Sequence, residues 1–224
     1  MSNASLKWVA AMVVSIVAAG GCAGQRPGTP PQPTPPPRVA SDPVVRVQTL
    51  SRLADSFARI SNELPGSDAR EHRRLMAELF AQLEEILPIL QGADGGAGFR
   101  QQIQIIRDAQ AELASGPQDL SPDPTIDSGL RAARDALASI AQSAYYNQAD
   151  LMPLFDNLSS KINELDTVRG PLHQIATADA VEVMKQIISK MSDALSHQLA
   201  EQNATTTATP PAPTAPSATE ATEK

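Results

Sequence analysis

The side chains that could do chemistry in this chain are few, and their spacing narrows what they could do. Three histidines, His72, His173 and His197, lie far apart, and none stands in the His-Glu-x-x-His or Glu-x-x-His spacing that would place ligands on one helix face. Cys22 is the only cysteine, so a thiolate zinc site has no second sulfur. Asp119, Asp123 and Asp127 recur every four residues but match no calcium loop, and they sit beside helix-breaking prolines. They read as acidity at a helix start, where the helix dipole favours carboxylates. The glycines from Gly92 to Gly98 lack the following Lys-Ser/Thr of a phosphate cradle and read as an interhelical loop. His72, within Glu71-His72-Arg73-Arg74, reads as part of a solvated helix face. The small basic cluster Arg70, Arg73 and Arg74 is matched by Glu71 and Glu78, with Arg74 and Glu78 at i, i+4. No nucleophile, base and orienting group come together, so the expectation is a non-enzyme with no cofactor and no metal. A formal net charge of −7 speaks against a nucleic-acid partner, which would need clustered Lys and Arg.

Cys22 is the exception, because its position has a reading. Residues 1–21 consist of a short polar start carrying Lys7, an apolar run of about a dozen residues from Trp8 to Ala19, and then small residues. That is the architecture of an export signal, and the run is shorter than the ~20 residues a spanning helix needs. The signal ends Ala19-Gly20-Gly21-Cys22, which resembles the lipobox of bacterial lipoproteins, with Ala19 where Leu is commonest. The resemblance covers the first 22 residues. It implies cleavage between Gly21 and Cys22, acylation of Cys22 and attachment to a membrane. Such proteins typically carry two or three acyl chains, and more than one makes the anchor stable. In bacteria with two membranes, Ala23 rather than Asp after the cysteine would imply the periplasmic face of the outer membrane. With one cysteine the body has no internal disulfide and must be held by burial alone.

The remaining elements must form what the anchor holds. From Gln25 to Pro43 the chain is proline-rich, which predicts an extended polyproline spacer reaching up to about 60 Å. From Asn203 onward it is Thr-, Ala- and Pro-rich and predicts a disordered tail. Between them, hydrophobic periodicity predicts helices only. Leu50, Leu53, Phe57, Ile60 and Leu64 form one stripe, ended by Pro65-Gly66. Asp68 and Glu71 suggest a capping box opening a second helix with Leu75, Leu79, Leu83 and Ile86 inward, which Pro88 should kink or stop. A third helix carries Phe99, Ile103, Ile106 and Leu113, and a fourth Ile126, Leu130, Ala133, Leu137 and Ile140. A fifth begins near Asp150 with Pro153 in its first turn. The last starts at Pro171 or Asp179 and shows Val181, Met184, Ile188, Met191 and Leu195. Each stripe suits one packed seam, so the fold class is all-α: an antiparallel bundle of five to six helices over residues 44–202.

The halves on either side of Pro117 to Pro124 resemble one another. Leu50, Asp55, Phe57 and Ile60 match Leu130, Asp135, Leu137 and Ile140, Leu75-Met76 matches Leu151-Met152, and Gln104-Ile105-Ile106 matches Gln186-Ile187-Ile188. This suggests repeats over 44–115 and 125–202, hence two tandem three-helix units with a groove between them. The functional expectation is a lipid-anchored envelope protein whose bundle binds or scaffolds another envelope protein. The alternative is a helical module that holds an apolar small molecule or lipid.

Overall fold

The computed structural model describes residues 43–92, 97–116 and 123–207, all within one compact unit. The expected signal segment, Cys22, the expected spacer before Pro43 and residues 208–224 lie outside the described residues. The described residues form an all-α bundle of six helices: α1 (Pro43–Glu63), α2 (Ala69–Gln91), α3 (Arg100–Ser115), α4 (Pro124–Ala141), α5 (Gln148–Glu164) and α6 (Pro171–Thr207). Short 3-10 turns at Leu64–Gly66 and Ala97–Phe99 lead out of α1 and into α3.

The apolar stripes set the packing. Leu50, Phe57, Ile60, Leu75, Leu79, Leu83, Leu130, Leu137, Leu158, Ile162 and Val181 are fully buried in one continuous core. Consecutive helices pack on each other in chain order, and the α1–α6 seam closes the ring. Neighbours run antiparallel. Arg52 reaches Glu85 (3.3 Å) and Arg59 reaches Glu78 across α1–α2, Arg107 reaches Glu84 (2.6 Å) across α2–α3, and Lys161 reaches Asp179 (2.8 Å) across α5–α6. As partly exposed ion pairs these contribute little each, but they mark the register. The α1–α6 and α3–α4 seams join the two halves.

Antiparallel order around the ring leaves α2, α4 and α6 parallel, and α2 packs directly on α4 as well as on α1 and α3. Gly129 makes the α2–α4 approach possible: a Cβ there would collide with the Phe80 ring. The price in helix propensity is about 1 kcal/mol relative to Ala.

The local signals acted largely as expected. Asp68 caps α2 by accepting from the Glu71 amide at 2.8 Å, although the Glu71 carboxylate turns to Arg74 instead of completing the box. Three boundaries differ. Pro88 neither stops nor ends α2, which runs on to Gln91; it is exposed and lies in the last turn, where only one backbone bond is forfeited. Helix α5 starts at Gln148 under an Asn147 cap, so Pro153 falls in its second turn. Helix α6 begins at Pro171 and continues to Thr207, taking in the first five residues of the expected tail, with 203–205 exposed.

Candidate functional site

The predicted site residues Gly21 and Cys22 lie outside the described residues. Within them, the polar groups that stand out are at one end of the bundle, where α2, α4 and α6 all begin. His72 and Arg73 come from the second turn of α2, Asp123 caps α4, Asp127 lies in its first turn, and His173 lies in the first turn of α6. Antiparallel connections bring these distant stretches together.

His72 was expected on a solvated face, but it is buried. The reason lies in its phase: it precedes Met76, Leu79 and Leu83 at helical spacing, so it points where they point. Its ring faces that of His173, with centroids 6.5 Å apart and planes inclined by 58°. His173, 1 % exposed, places Nε2 at 3.1 Å from Asp127 Oδ1. The carboxylate therefore draws the ring proton to Nε2 and leaves Nδ1 as a lone pair. That Nδ1 and both ring nitrogens of His72 are buried without a hydrogen-bond partner. Burial, with the neighbouring His173 adding to it, lowers the His72 pKa to about 4, and the more distant Asp127 opposes this only in part.

Arg73 is buried as well and belongs to a separate pair. Its guanidinium forms an ion pair with the buried Asp123 carboxylate and donates to the Glu112 carbonyl at 3.2 Å. Gly116 leaves room for that reach, since a Cβ there would come within 2.8 Å of Arg73 Nη2. The other Asp123 oxygen accepts from the Thr125 amide at 3.0 Å, so one carboxylate both caps α4 and neutralises Arg73. Of the acidic run, Asp123 and Asp127 do sit at a helix start as predicted, and each has a partner from another helix. Asp119 lies outside the described residues. Of the basic cluster, Arg74 pairs with Glu71 (2.7 Å) and Glu78 (3.3 Å) on the surface. The Thr177 hydroxyl donates to the His173 carbonyl at 2.8 Å, and Gln174 Nε2 donates to the Ser67 carbonyl at 2.9 Å, which ties α6 to the α1–α2 turn.

At the opposite end the last turn of α2 is closed by donors. Arg46 donates to the Ile89 carbonyl at 2.6 Å, and the Tyr146 hydroxyl donates to the Leu90 carbonyl. Burial raises the Tyr146 phenol pKa and keeps it a donor. Beside it a cleft of about 260 Å³ opens between Pro43, Val47, Tyr145, Leu195 and Leu199. A second, of about 310 Å³, follows the α1–α6 seam past Ser51, Ala54, Ser189 and Ser192.

Among the described residues no group of three or more His, Cys, Asp or Glu side chains is placed to hold a metal ion, and no helix is long and apolar enough to cross a membrane. The arrangement at the α2, α4 and α6 starts can hold protons and fix helix ends; it presents no nucleophile beside a base. No protein-family model, curated protein or solved structure matches this chain.

Proposed function

We propose that the chain is a bacterial envelope lipoprotein, anchored through acylated Cys22, whose helical body docks onto another envelope protein. The observation that carries the reading is the antiparallel α1–α6 seam. It puts Pro43, where the spacer joins, and Thr207, where the tail leaves, at the same end of the bundle. A body attached at one end leaves its sides and its far end accessible, as a tethered docking module requires. The two clefts along the α1–α6 seam supply relief on one such side. The reading of an apolar-ligand carrier has less support, because the residues that would line an internal cavity, among them Phe57, Phe80 and Leu83, are packed against one another in the core.

Two experiments test this. Cys22→Ala should move the protein from the membrane to the soluble fraction, and unchanged fractionation would refute the anchor. A photocrosslinker at Ser51 or Ser192 should capture one defined protein in cells while one at Gln101, on the exposed face of α3, should not. Capture that is equal from all three positions, or absent from the seam, would refute docking there.

A further inference from the structure

We propose that the end of the bundle where α2, α4 and α6 begin is an acid-sensitive latch: it stays closed while His72 is neutral, and proton uptake by that ring opens these first turns while the Tyr146 end remains closed. The negative groups that face His72 are already engaged elsewhere. On α4, Asp127 is engaged with His173 and Asp123 with Arg73. From α3 the cluster receives only the Glu112 carbonyl, which already accepts from Arg73 and from the Gly116 amide. On α2 itself, Asp68 accepts from the Glu71 amide and Glu71 is turned outward to Arg74. From the α1–α2 turn the Ser67 carbonyl accepts from Gln174. No carboxylate lies within hydrogen-bond distance of either His72 nitrogen, and Asp127, whose charge favours the protonated ring, is outweighed by burial.

The positive groups are close. Arg73 is the next residue, and three helix starts present their partly positive amide ends to the same region. A buried imidazolium with no acceptor carries the full desolvation cost of a charge, whereas water relieves it once the turns separate. At neutral pH the ring is uncharged and the packing around Leu75, Met76 and Ile126 holds the end shut.

The sign and size follow from linkage. In the open form His72 has its ordinary pKa of 6.5, and in the closed form about 4. The open form therefore binds more protons between these values, and opening becomes more favourable as pH falls. From neutral pH to pH 5 the opening equilibrium should rise about 30-fold, approaching a limit of about 300-fold below pH 4. Such a device would couple this end of the protein to acidification of its surroundings.

Residue-resolved hydrogen exchange on the full chain at pH 7.5 and pH 5, corrected for intrinsic exchange rates, tests the latch. Amides of residues 73–77, 128–131 and 175–178 should lose protection by about 30-fold, while those of 84–90 and 188–194 change by less than about threefold. In His72→Gln and His72→Leu, which carry no titrating ring, the difference between the two pH values should vanish. The wild-type contrast between the two ends needs no variant, so failure of either substitution to fold leaves the test intact. Equal loss of protection at both ends, no loss at pH 5, or a loss that persists without the imidazole would each overturn the proposal.

Discussion

The two ends of the bundle solve the same problem with different chemistry. At both, helix termini leave backbone groups that must find partners. Where α2, α4 and α6 begin, the solution is largely ionic: the exposed Asp68 and the buried Asp123 accept from amides, Asp123 also holds the buried Arg73, and the half-buried Asp127 holds the buried His173. Where α2 ends, the solution is a set of individual donors: Arg46 on Ile89, Tyr146 on Leu90, and Gln198 on the Tyr145 carbonyl at 3.0 Å. Removing Arg73 or Asp123 from the first set strands its partner's charge in the core. Removing a member of the second uncovers one neutral carbonyl. The fold is therefore expected to be sensitive to mutation and to pH mainly at the end away from Pro43 and Thr207.

The largest effect should come from Arg73→Leu, which leaves the Asp123 carboxylate buried without its cation. A loss of about 3–5 kcal/mol in urea unfolding is expected; a loss under 1 kcal/mol would erase the contrast between the ends. Next comes pH. The His72 pKa lies near 4 in the folded protein against 6.5 unfolded, so the unfolded chain binds more protons in between. This contribution to stability is fully present above pH 6.5 and is lost as pH falls toward 4, by about 3 kcal/mol in total. His72→Leu should flatten the unfolding free energy over that window. Between the ends, Gly129→Ala should cost about 1–3 kcal/mol because Phe80 fills the space its methyl would take. The smallest effect belongs to Tyr146→Phe, which removes one hydrogen bond at the end where α2 terminates and should cost about 1 kcal/mol with no pH dependence between 5 and 8.

The helices were legible in the sequence because each needs only local periodicity. Leu50, Leu53, Phe57, Ile60 and Leu64 are all buried, as their spacing implies. Pro153 is carried inside α5, as its tolerance near the helix start implies, whereas Pro88 does not stop α2, because it costs one backbone bond that the packing of α2 outweighs. The buried polar cluster escaped for a different reason. Glu71-His72-Arg73-Arg74 has the composition of a surface, and local sequence does not reveal that α2 would be packed by α1, α3 and α4 on several sides at once. The partners of Arg73 and His173 lie 50 and 46 residues away. One local signal was present: His72 and His173 continue the stripes of Met76-Leu79-Leu83 and Ala176-Ala180-Val181, so their phase, rather than their polarity, foretold their burial. Cys22 is the reverse case, a residue whose proposed acylation rests on its sequence context alone.

The central claim is that one end of this bundle buries an unpaired neutral imidazole. Following the ring-carbon proton of His72 by NMR from pH 8 to pH 3.5 tests it most directly, with assignment by comparison to His72→Gln. The account predicts a midpoint near pH 4, accompanied by broadening of amide signals at the starts of α2, α4 and α6. A midpoint at or above 6.5, with those amides unmoved, would contradict it.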